Sequence, residues 1–191
     1  MAGTPRPKPI SFKPSTQILD KARELPLLGC WVMSGWQDQG LTPVVVARKQ
    51  SETSVLFGVF LVDLFCLGVK DAFWKSDLSL KQFNRQLPQL CAEDPALCDV
   101  DLAHEMIYGS IEYAQKYGFE PHHDYAQATL ILDPPEMHLH KNRVTFGKDG
   151  KPFFISGPND NAKMIFDKLM HTAGEGNFEF LMGFDGMDEA L

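Results

Sequence analysis

The 191-residue chain predicts an α+β fold, an antiparallel sheet of about five strands packed against two or three helices. Three observations predict it. Apolar runs at 28–33, 43–49 and 55–62 are separated by only a few residues, and such short links join antiparallel rather than parallel strands. The middle of the chain changes to helical spacing at 78–90 and again at 99–117. Asp149-Gly150, which suits a tight turn with positive φ, stands between two further apolar runs near the C-terminal end.

The elements follow in order. Residues 1–26 form a Pro-rich basic arm: Pro5, Pro7, Pro9 and Pro14 oppose helix and sheet, and five cations against two anions give it a local +3. Within it, residues 16–23 carry modest helical spacing that Pro26 closes. A strand is expected at 28–33, a loop over SGWQDQG, and a second strand after Pro43 that leaves for water at Arg48 and Lys49. Residues 55–62, VLFGVFLV, read as the most buried strand, apolar on both faces, with an exit at Asp63 and a Gly68-containing connection to the first helix.

Leu80, Phe83, Leu87 and Leu90 place a helix over 78–90. The longer helix, 99–117, shows one broad apolar face, with Asp99 and Asp101 suited to its start and Gly118 and Pro121 to its stop. A short helix is expected over 125–132 before the DPPE loop. Residues 144–147 and 152–156 should form a hairpin around KDGK, followed by a last helix over 160–173 and a strand at 177–181. The reading divides the chain into the arm 1–26, a single α+β domain 27–182 and an acidic tail 183–191. The helices are expected on one face of the sheet.

Composition excludes some functions. With 44% hydrophobic and 11% aromatic residues the chain can bury a full core. A net charge of −7, or −10 outside the arm, disfavours general nucleic-acid binding, which needs clustered cations. The apolar run 55–69 is shorter than the roughly 18 residues of a membrane span and contains Asp63, so a soluble, cytoplasmic protein without a membrane partner is expected. Cys30, Cys66, Cys91 and Cys98 lack C-x-x-C spacing and read as reduced structural thiols.

Four groups could carry chemistry. Asp63 ends the central strand, with Lys70 and Asp71 close behind, and a carboxylate on a stiff strand end is a position for acid–base or metal work; a plain strand exit needs the same residue. His104, Tyr108 and Glu112 form a stripe on the long helix, with Glu105 beside it. The second histidine of a zinc-protease helix is Tyr108 here, so a solvated face is the expected reading. His122, His138 and His140, with His123, Asp124, Asp133 and Glu136 nearby, could share a metal ion, although a polar surface loop has the same composition. Ser156 to Asp160 before the last helix reads as a cap rather than an anion site, and Gly174 and Gly176 do not form a phosphate loop. No cofactor is expected.

The strings WQDQGL at 36–41, FGVFLVDLFCLGVKD at 57–71, IYGSIEYA at 107–114, GFEPHHD at 118–124 and FGKDGKPFFISGP at 146–158 resemble a bacterial family of hypothetical proteins over residues 28–181. The resemblance implies no activity and carries no catalytic residue across. A looser similarity, to accessory proteins of multi-gene bacterial defence loci including CRISPR systems, implies an accessory role. The leading expectation is a non-enzymatic protein-binding or regulatory module that uses Trp36 and Trp74 as exposed anchors. The alternatives are a metal-dependent hydrolase or nuclease built on Asp63, Asp71, His104 and Glu105, and a single-stranded RNA binder that uses the basic arm and aromatic residues.

Overall fold

The sheet grows from its β-branched and aromatic runs, where side chains fit a pleated, buried surface. The computed structural model of the protein describes residues 16–137 and 141–182. β1 (Leu27–Met33) leads through a one-turn helix α1 (Trp36–Gln39) to β2 (Leu41–Lys49), then to β3 (Ser54–Asp63) and β4 (Gly68–Ser79). Each pairs antiparallel with the one before it. After helix α2 (Leu80–Leu90), β5 (Pro95–Cys98) returns to the free edge of β1, giving the order β4-β3-β2-β1-β5. Helix α3 (Val100–Gln115), helix α4 (Tyr125–Ala128), strand β6 (Phe153–Ile155), helix α5 (Ala162–Thr172) and strand β7 (Glu179–Leu181) complete the fold. The fold is α+β with a five-stranded antiparallel sheet, as the apolar spacing predicts.

The period of two along β2 and β3 sends alternate residues to opposite faces. Val44, Val46, Leu56, Phe60 and Val62 meet Ala103, Met106 and Ile107 of α3 in the main core. Val45, Ala47, Val55, Phe57 and Val59 meet Phe83 of α2 on the other face. Helices therefore cover both faces, not one, and this explains why VLFGVFLV lacks a polar face. A third cluster, built on Cys66, Phe119, Phe154, Ile165 and Leu169, seats α5 and the parallel pair β6–β7 beyond the end of the sheet.

Several expected elements differ. Residues 68–79 form a twelve-residue edge strand instead of a connection, with Asp71, Phe73, Lys75 and Asp77 outward and Ala72 and Trp74 between them on the more covered side. Its first residue, Gly68, has φ 71, and a Cβ there would lie 3.0 Å from both Ala114 Cβ and the Ser110 carbonyl oxygen, so the strand starts hard against α3. Asp149 and Gly150 do adopt positive φ, and Lys148 and Lys151 exchange backbone hydrogen bonds across them. The turn carries no hairpin: 144–147 runs over α3, while Phe153–Ile155 pairs with β7. The segment Thr16–Glu24 is a 3-10 helix whose Leu19 and Ala22 enter the main core, so the body of the protein begins inside the predicted arm.

Arg48 is also not in water. It is buried, and its guanidinium donates to the carbonyls of Ile131 (2.7 Å) and Leu25 (2.9 Å) and to Asp133. One side chain thereby clamps the N-terminal 3-10 helix and the 131–133 segment to β2. Trp36, expected as an exposed anchor, lies in the main core because α1 folds its ring under the sheet end. The residues His138 and His140 lie outside the described part of the structure.

Candidate functional site

Asp63 closes β3 and turns the chain. Its Oδ1 accepts the N–H groups of Phe65 (2.9 Å) and Cys66 (3.0 Å), and its Oδ2 accepts that of Leu67 (3.2 Å). The carboxylate replaces the sheet partners that residues 65–67 lose as they leave the ladder, the usual work of an aspartate in a turn. Burial pushes the Asp63 carboxyl above the ordinary range, while these N–H groups and Lys70 pull it back. Three of its lone-pair positions are committed to the backbone, so Asp63 is a turn-former that shapes the edge of a cleft.

The cleft arises from a β-bulge. Leu61 faces Asp71 and Val62 faces Val69, which leaves Lys70 as the extra residue of β4. A bulge re-aims the side chains around it. Lys70 Nζ reaches Asp160 Oδ2 at 2.8 Å, and that same oxygen accepts the Gly157 N–H at 2.9 Å. This fixes the 156–160 loop over the end of the sheet. On one side lies a cavity of about 320 Å³ lined by Gly40, Asp63, Phe65, Lys70, Phe153 and Gly157. On the other lies one of about 460 Å³ lined by Leu41, Leu61, Asp71, His122, Asn159 and Asp160.

His122 is held over the bulge by its backbone N–H, which donates to the Val69 carbonyl at 2.9 Å. Its Nδ1 lies 3.5 Å from Asp71 Oδ1 and 3.7 Å from Asp124 Oδ2. His123 Nε2 lies 3.4 Å from Asp124 Oδ1. Among the described residues, His122, His123 and Asp124 form the cluster whose ligand atoms all fall within 4.8 Å of one another. The sequence points to His122 and Asp124; the part of Asp71 depends on the bulge, which no local pattern announces.

His104 and Glu105 do not join this cleft, and neither is solvated. Both are buried, and residues 141–144 cross the helix at Glu105, on the side that the sequence leaves polar. Glu105 accepts the N–H groups of Arg143 (2.6 Å) and Val144 (3.1 Å) on Oε1 and of Lys141 (3.1 Å) on Oε2. It anchors that crossing segment as Asp63 anchors its turn. His104 lies beneath, its ring edge-on to Tyr108 at 5.4 Å between centroids. The structure thus divides the predicted set: Asp63, Lys70 and Asp71 line adjoining cavities, while His104 and Glu105 belong to the α3 core.

The second sheet face is covered over half its length. Phe73, Val59, Val45, Trp31 and Leu97 form one row across all five strands, since each pair is in direct register. Phe83 of α2 meets Trp31 and Phe57 on the covered side. On the other side Leu61, Pro43 and Met33 are only half-buried, and Leu41, Phe73 and Leu97 are exposed at 42%, 38% and 73%. Trp74, the second predicted anchor, points to the α3 face, half-buried, where its Nε1 donates to Gln127.

No family model, curated protein or solved structure matches the chain in comparisons with known proteins. No helix among the described residues is long and apolar enough to cross a membrane.

Proposed function

We propose that the protein is a non-enzymatic binding module that docks a partner protein on the open half of the second sheet face. The observation that carries this reading is the apolar surface that α2 leaves uncovered, with Leu41, Phe73 and Leu97 exposed and Leu61 half-buried among them, a kind of patch that marks protein interaction sites. Asp71 lies beside Leu61 on its rim and Lys75 stands over the Phe73 ring, while the chain outside residues 1–26 has a net charge of −10. A partner segment that is apolar with basic flanks complements it. Such a module suits the accessory role implied by the resemblance to proteins of bacterial defence loci.

Two observations weigh against a hydrolase built on Asp63, Asp71, His104 and Glu105. Asp63 and Glu105 each serve three backbone N–H groups, and the four residues lie in two separate places. A general base must be within reach of the proton it takes. A photo-crosslinking residue placed at Phe73 or Leu97 tests the docking face in native extract. One discrete protein adduct is expected from either position and none from the same probe at Lys163 on α5; equal labelling from all three positions would overturn the reading.

A further inference from the structure

We propose that His122, His123 and Asp124, with Asp71 supporting His122 from the bulge, form a binding site for one divalent transition-metal ion of the zinc class, the remaining position being left to water. The separations carry the inference. At 3.4, 3.5 and 3.7 Å the nitrogen–oxygen pairs are longer than ordinary hydrogen bonds, yet the groups converge. In a tetrahedral zinc centre with metal–ligand bonds of about 2.1 Å, neighbouring ligand atoms lie about 3.4 Å apart. The ligand atoms of His122, His123 and Asp124, all within 4.8 Å of one another, are therefore close enough to share one ion.

The donor set and its supports agree with this. Two imidazoles with one carboxylate favour zinc, cobalt or nickel over magnesium or calcium, which take oxygen ligands. The Asp124 backbone N–H donates to His122 Nδ1 at 3.4 Å, a long contact that marks this nitrogen as unprotonated and that an incoming ion would displace. The His122 backbone is pinned to Val69, and the Asp124 carbonyl accepts the Ala128 N–H, so the ligands stand on an ordered turn between α3 and α4. The nearby cation Lys70 is engaged by Asp160, which leaves two carboxylate charges for an incoming cation. A bound ion would tie the bulge of β4 to the 121–124 turn, next to the proposed docking face.

The test uses the full chain, stripped with chelator and titrated with Zn²⁺ by calorimetry and with Co²⁺ by visible absorption. One ion per chain and a tetrahedral cobalt spectrum are expected. His122→Gln and Asp71→Asn should each weaken Zn²⁺ binding by at least about tenfold, since even indirect supports of metal ligands cost that much. His122 and Asp71 are partly exposed, so both variants should keep the wild-type thermal midpoint. The double variant His138→Gln/His140→Gln should retain wild-type affinity. The proposal is overturned by wild-type protein that binds no Zn²⁺ at millimolar metal, by unchanged affinity in both single variants, or by loss confined to the double variant.

Discussion

Replacing Asp63 separates a structural carboxylate from a catalytic one. Asp63→Ala leaves the N–H groups of Phe65, Cys66 and Leu67 without their acceptor. A buried donor left unsatisfied costs about 1–3 kcal/mol, and water reaching this half-buried turn keeps each at the low end, so the loss should be about 3–4 kcal/mol. Asp63→Asn keeps one carbonyl oxygen, which can hold the Phe65 and Cys66 N–H groups while its amide faces the Leu67 N–H. That variant should lose about 1–2 kcal/mol. Urea unfolding of the three proteins, fitted with a common slope, reads the differences. A loss below about 0.5 kcal/mol for Asp63→Ala, the range of an ordinary surface substitution, would refute the turn-forming role.

Other consequences follow from the same physics. Arg48→Met removes the donor to Leu25, Ile131 and Asp133 and leaves their acceptors partly buried; breaking such a clamp should cost about 3 kcal/mol or more in the same unfolding assay. The paired hydrogen bonds of Arg143 hold the Asp99 carboxyl at about 2, below its ordinary 3.8. A depressed carboxylate contributes its full stability above the ordinary value and loses it as pH falls toward 2. Arg143→Gln should therefore flatten the acid limb of the stability curve between about pH 4 and 2; an unchanged limb would contradict the pairing. Burial pushes the thiols of Cys30 and Cys98 up to about 12 and Cys91 up to about 11, and raises Cys66 as well. All four should resist thiol reagents at neutral pH until the chain unfolds, and one rapidly labelled native cysteine would count against these environments.

The core of this fold was legible because it is local. The apolar run 55–62 announces a buried strand, although not the second covering helix, and the apolar face and Asp99 cap of α3 lie where the spacing puts them. What escaped depends on distant partners. β4 reads as a connection because its outward positions mix Phe73 with Asp71, Lys75 and Asp77, and Lys70 interrupts the period at the bulge. β5 has four residues and starts at Pro95, too short for its period to show. His104 and Glu105 look solvated on the helix alone, and nothing nearby in the chain reveals that 141–144 bind the Glu105 carboxylate. Arg48 misleads in the same way: its acceptors lie 23 and 83 residues away. The candidate site was legible only in part, because Asp71 and His122 approach each other through a bulge and a loop anchored to Val69.

The central claim is that the open half of the second sheet face binds a protein. The most direct measurement is the affinity of the purified crosslinked partner for the wild-type chain and for Phe73→Arg/Leu97→Arg, read by calorimetry. Both side chains are exposed, so the double variant should keep the wild-type thermal midpoint. The account predicts affinity weakened by at least about tenfold, because two cations replace apolar contacts opposite basic flanks. Equal affinity in wild type and variant would contradict it.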